Sequence, residues 1–268
     1  MGWAARLVSG LGIAGVLLYL MFASSSIAHR VDLRLQQEEE FSKEFTKLQH
    51  YALKAMREGA DAQVQQQFAE VLTFFRRGGE PAARFLVEQL NSMNSAELEF
   101  LRQPGSTVEE WLGEGAAKPY VCLLLAELFS VSSADMQERI LESLKNSYTP
   151  SEEYKEAIQF LNIALWRIGA PAMPTILELA NHDSQFVRCS VAKNLNDLRE
   201  DFLHRNDVRI SPSDFPLIDC QDSGRERTKK LRAWARSWER YKNTLSFPKI
   251  PSLLDDFIKR EGRWIDSL

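Results

Sequence analysis

Cysteine is scarce in this chain: among 268 residues there are three, Cys122, Cys189 and Cys220. An odd number at irregular spacing does not read as a disulfide framework. Cys122 in VCLLLAEL and Cys189 in VRCSVA both fall on helical patterns, where a free thiol packs as a small hydrophobe, so both are expected in the core. Histidine is equally sparse. His29, His50, His182 and His204 lie far apart, and neither HExxH nor Cys-x-x-Cys occurs, so no metal site is expected. Sustained alternation of β-branched and polar residues is missing too, which excludes a predicted sheet. The segment GEGAAKP resembles a phosphate loop, but no Gly precedes Lys118, and Pro119 stands where a Ser or Thr would hold magnesium. DCQDSGRERTKK resembles a calcium loop without its last acid, since Lys230 occupies that place. With Gly-x-Ser-x-Gly also absent, none of the roles of an active site is filled, and the chain is expected to be no enzyme and to carry no cofactor.

A large charge of one sign is lacking as well. The net charge is −4, with 44% hydrophobic and 26% charged residues, the composition of a folded, core-forming protein. The balance is uneven along the chain. Asp61 to Leu165 carries 16 Asp and Glu against 8 Lys and Arg, whereas Arg225 to Lys242 carries 8 Lys and Arg against 2 Asp and Glu. The second segment is therefore suited to an acidic surface, and the acidic middle of this same chain is one candidate.

The longest stretch without any charge is Leu7–Ala28, LVSGLGIAGVLLYLMFASSSIA, 22 residues. About 20 apolar residues span a bilayer, so 7–28 is expected to be a single-pass transmembrane anchor, behind a short tail at 1–6. A cleavable signal peptide is the alternative: Arg6 leads, the apolar centre ends near Phe22, and small residues at Ser26 and Ala28 come after it. Arg30, Arg34, Lys43 and Lys47 favour a cytoplasmic body by charge count, the signal-like layout favours the other side, and the two are left open.

From residue 30 onward the pattern is helix and short break. A juxtamembrane helix at 29–57 carries the seam Phe41, Phe45, Leu48, Ala52 and Ala55, spaced four and three; it suits its own domain, or a short coiled coil with a second copy. Further helices are predicted at Ala62–Arg77, Pro81–Leu90, Ser95–Gln103, Lys118–Ser130, Ala134–Asn146, Ser151–Ile168, Ala172–Ala180 and Ser184–Arg199, broken by Gly- and Pro-bearing turns. The sum is an all-α body at 58–205. Within it Gly169 is placed to close one helix in a left-handed conformation. Pro171 falls at the start of the next, where its missing N–H costs nothing, and Asp183 is placed to N-cap a third.

IGAPAMPTILELANHDSQFVRCSVAKNL resembles a HEAT repeat, a family whose members carry a Gly-x-Pro-Ala turn and an Asp before Val-Arg. The matching positions are Gly169, Pro171, Ala172, Pro174, Asp183, Val187, Arg188 and Ala192, within one repeat at about 158–198. A weaker echo at about 68–90, GEPAARFLVEQL, sets Gly79, Pro81 and Ala82 against Gly169, Pro171 and Ala172. The resemblance implies an irregular α-solenoid of HEAT-like hairpins behind the transmembrane helix, with Asp183 and Arg188 as structural residues that cap helices and bond neighbouring repeats.

The loop at 206–224 contains Pro and Ser and is expected to let the next helix move. Beyond it comes a basic amphipathic helix and tail at 225–268. Leu231, Trp234, Trp238, Tyr241 and Leu245 share one face. They are expected to meet the domain core, or else, with Lys229, Lys230 and Arg232, a membrane surface or a partner protein; nucleic acid is disfavoured by the anchor. The functional expectation is a membrane-anchored HEAT-like scaffold or adaptor that binds a protein. The alternative is an exported soluble protein, a binding protein or an unrecognised enzyme.

Overall fold

The structure, a computed structural model, describes residues 35–55, 61–100, 115–148, 155–204, 209–245 and 247. The expected anchor at 7–28, the tail at 1–6 and the segment 248–268 lie outside the described residues. Among those described, no single helix is long and apolar enough to cross a membrane.

The described chain is helical, with no strand among these residues. Its helices are α1 (35–55), α2 (Ala62–Arg77), α3 (Gly79–Phe100), α4 (Lys118–Leu128), α5 (Ala134–Asn146), α6 (Lys155–Ile168), α7 (Met173–Leu179), α8 (Gln185–Leu203) and α9 (Gly224–Tyr241). The chain divides into two compact units, Met1–Phe45 and Thr46–Leu268. In the first, the described residues are the helical 35–45, with Phe41 and Phe45 buried. The second holds the remaining helices. Leu48, Ala52 and Ala55 are buried as well.

Helix ends follow their caps. The Asp61 carboxylate accepts the Val64 N–H at 2.8 Å and starts α2. Ser133 starts α5, and its own N–H donates to Glu80 Oε2 of α3 at 2.7 Å, a bond that holds the Glu80 carboxyl below its ordinary range. The predicted helices Pro81–Leu90 and Ser95–Gln103 are one continuous helix, α3. The polar run NSMNS between them has neither Gly nor Pro to break it, and Asn94 turns inward to donate to Ser147 Oγ at 2.8 Å.

The core is organised around α4. Nine of its eleven residues are buried, as a helix apolar on all sides requires, and it packs against α2, α3, α5 and α6. Its one acid, Glu127, is 11% exposed and takes ion pairs from Arg76 at the end of α2 and Arg167 at the end of α6, the latter at 3.0 Å. Three helices are thereby pinned to one carboxylate. Cys122 is free and buried on α4, as expected.

In the stretch that resembles a HEAT repeat, Gly169 closes α6 with φ +78° and ψ −132°. The sign of φ is the one expected, but the ψ is not that of the left-handed helix. Pro171 lies in a 3-10 turn, Ala170–Ala172, that leads into α7. The expectation for Asp183 is corrected: the N-cap of α8 is Ser184, with no side-chain cap bond. The loop is held instead by Arg188, whose Nη1 donates to the carbonyls of His182 at 2.8 Å and Asp183 at 2.6 Å. Arg188 therefore stitches its own turn, where the resemblance implied bonds between neighbouring repeats.

Candidate interaction surface

Two features of the sequence converge on α9, its aromatic face and its surplus of cations. Ser223 caps the helix by accepting the Glu226 N–H at 3.3 Å. The aromatic face turns into the domain. Trp234 is fully buried and donates its indole N–H to the Pro216 carbonyl at 2.8 Å. Trp238, 4% exposed, stacks on Phe202 of α8 with ring centroids 6.4 Å apart. Leu231 and Leu245 are buried, and the half-buried Tyr241 donates its hydroxyl to Asp214 at 3.3 Å. Of the two roles weighed for Trp234 and Trp238, core and external contact, the structure gives the first; neither is offered to a membrane or a partner.

The loop before α9 is not the mobile hinge expected from its Pro and Ser content. Phe215 is fully buried against Trp234 and Phe202. Asn196 of α8 donates to the Ile218 carbonyl at 2.9 Å and accepts the Ile218 N–H at 2.9 Å. Arg199 donates to the Phe215 carbonyl at 2.7 Å. Cys220 is bonded to Cys189 of α8 in a disulfide with Cα atoms 4.7 Å apart. This corrects the expectation of a free Cys189 in the core. Two cysteines remote in sequence meet because the loop returns across α8, a contact no spacing rule encodes.

The eight cations of this segment divide by position. Lys230 binds both oxygens of Asp222, at 2.9 and 2.7 Å. Arg227 donates to the Asp222 carbonyl at 3.0 Å and to Asn181 at 3.1 Å. Arg240 approaches Asp214 at 3.6 Å, and Lys242 pairs with Glu239 at 2.7 Å. The other four, Arg225, Lys229, Arg232 and Arg236, are exposed and have neither an ion-pair nor a hydrogen-bond partner among the described residues. Their spacing of four, three and four puts them on one line of the helix, opposite the buried Trp234. Lys229 and Arg232 were singled out from sequence; Arg225 and Arg236 were missed, although the same periodicity contains them.

Beside this surface lies a groove between α7 and α9, lined by Leu177, Glu178, His182, Thr228, Leu231 and Arg232. Lys145 and His182 join it to a polar cleft between α3 and α5 that includes Asn91, Asn94, Arg139 and Glu142. Asn94 is buried there with its side-chain oxygen unpartnered. His182 Nδ1 accepts the Ser184 N–H at 3.0 Å. Among the described residues no group of three or more His, Cys, Asp or Glu side chains is placed to hold a metal ion.

No protein-family profile, curated protein or solved structure matches this chain.

Proposed function

We propose that this chain is a membrane-anchored scaffold of HEAT-like helical repeats that binds a partner protein, with its helical body in an oxidising compartment. One observation carries the repeat reading. Gly79 and Gly169, the aligned glycines of the two Gly-x-Pro-Ala turns, are the two positive-φ glycines among the described residues, at +57° and +78°. Each stands at a turn between consecutive helices, where only Gly accepts that backbone without strain. Stacked repeats of this kind present extended surfaces to other proteins, and that step from fold to binding is analogy. The Cys189–Cys220 bond supports the compartment, because disulfides persist outside reducing cytosol.

Affinity capture from detergent-solubilised membranes tests the scaffold reading: one stoichiometric protein partner is expected to survive mild washing. Turnover of a small molecule by the purified chain, with no partner retained, would refute it. The disulfide equally suits an exported soluble protein cleaved after Ala28. Sequencing the mature N-terminus separates the two, since a chain that begins at His29 has lost its anchor.

A further inference from the structure

We propose that the outward face of α9 is a docking surface for anionic phospholipid headgroups, formed by Arg225, Lys229, Arg232 and Arg236. The inference rests on the anchored reading above and goes beyond it by naming the surface of the body that meets the bilayer. Every other cation of the segment is engaged with its own domain or helix, while these four stand exposed and unpaired among the described residues. They run in one line for about 16 Å along the helix. Of the two acids on this helix, Glu239 is paired with Lys242, and Glu226 lies about a quarter-turn from the line of the four cations.

The chemistry of the line selects its partner. It presents cations and, beside them, the small side chain of Ala235, while the helix's Trp234 and Trp238 are buried behind it. Protein interfaces draw their affinity from aromatic and apolar anchors in pockets, and this face supplies none. Insertion among acyl chains is excluded for the same reason. A flat lattice of fixed negative charge needs only a straight row of cations held at headgroup level. Nucleic acid has similar charge, but the anchor proposed above carries the row to a bilayer, and the DNA arm of the test below separates the two. The row is also held rigidly. The Trp234–Pro216 hydrogen bond, the Lys230–Asp222 pair and the disulfide-tied loop fix the roll of α9, so that its four cations face outward together.

The test uses the full-length protein in nanodiscs of phosphatidylcholine, with or without phosphatidylglycerol. The readout is the acetylation rate of Lys229, with Lys193, exposed on α8, as internal control. In anionic discs at low salt the Lys229 rate is expected to fall about five-fold or more, with Lys193 unchanged. High salt should restore it, because screened charges act over a few ångström only. The double variant Arg232→Glu plus Arg236→Glu should remain folded by circular dichroism and lose the protection in anionic discs. Equal Lys229 rates in both lipids, protection that persists in high salt, or protection that a short DNA duplex displaces at lower concentration than it takes to saturate the row with lipid would overturn the proposal. Retention in the disc after an alkaline carbonate wash reports the anchor separately. A chain that is retained without headgroup-dependent protection refutes the docking surface alone. A chain that is not retained refutes the anchor, and the same Lys229 measurement on free protein mixed with anionic vesicles then decides the surface.

Discussion

Asn196 and the backbone of Ile218 satisfy each other: the side-chain amide donates to the carbonyl and accepts the N–H, both at 2.9 Å. A single side chain thus gives an irregular loop the pair of bonds that a neighbouring strand would give it. Replacing Asn196 by Ala removes both bonds and strands two backbone groups of a residue that is 3% exposed. The expected loss is about 2–3 kcal/mol, read as a lower urea midpoint with an unchanged slope. Asn196→Asp keeps the acceptor and should lose about half as much. No change in either variant would mean the loop is not held this way.

The cross-link between Cys189 and Cys220 closes a loop of 31 residues. On chain-entropy grounds its removal, as Cys189→Ser with Cys220→Ser, should cost about 3–4 kcal/mol. Alkylation in denaturant of protein taken from its native membranes should modify one cysteine before reduction and three after. Three modified before reduction would place the body in a reducing compartment and refute the oxidising side proposed above.

Gly169 and Gly79 should differ in their tolerance of Ala. Gly79 has the φ of a left-handed helix and open space where a Cβ would go, so Gly79→Ala should cost about 1–2 kcal/mol from backbone strain alone. Gly169, with ψ −132°, lies in a region almost reserved for glycine, and Gly169→Ala should cost more. Thermal melts of both variants give the order, and equal or reversed losses contradict these backbone angles.

Asp183 and Arg188 offer a second contrast. Asp183 is exposed and caps nothing with its side chain, so Asp183→Ala should stay within about 0.5 kcal/mol of the parent. Arg188→Ala removes charge-assisted bonds to two carbonyls and should lose about 2–3 kcal/mol. A costly Asp183→Ala would restore the capping role that the sequence implied.

Stability should also fall at high pH. Burial raises the Tyr148 phenol well above its ordinary value, and Tyr120 shifts in the same direction. Both stay protonated in the fold after the unfolded chain begins to ionise near pH 10. The unfolded state then binds fewer protons than the folded one, so the stability these groups contribute is intact below about pH 10 and declines above it. Phenolate absorbance from these two tyrosines should appear together with unfolding. Its appearance in a chain that is still folded would show that the rings reach water.

What the sequence discloses here depends on how local its cause is. The ends of α2 and α5 agree with prediction because Asp61 and Ser133 cap the adjacent N–H groups. The inward turn of Trp234 was legible in its spacing from Leu231 and Trp238. The continuity of α3 was hidden because Asn94 finds its partner, Ser147, 53 residues away, and nothing near it announces this. The Cys189–Cys220 bond and the Asn196–Ile218 pair were hidden for the same reason, with one partner of each in a segment that has no periodicity. The division of the cations of α9 into bound and unbound needed Asp214 and Asp222 in place before it became visible.

The burial of α4 on all sides bears on how the molecule comes apart. Arrays of repeats ordinarily fray from an end, each unit melting with only its neighbour disturbed. Here α2, α3, α5 and α6 all rest on one apolar helix, and none of them can leave without wetting it. Backbone amides of Val121 to Leu125 should therefore exchange with solvent only through opening of the whole body. A protease cut within residues 61–148 would release no stable half, and a truncation that stops on either side of α4 would yield an insoluble fragment where a chain of independent repeats would yield a shorter array.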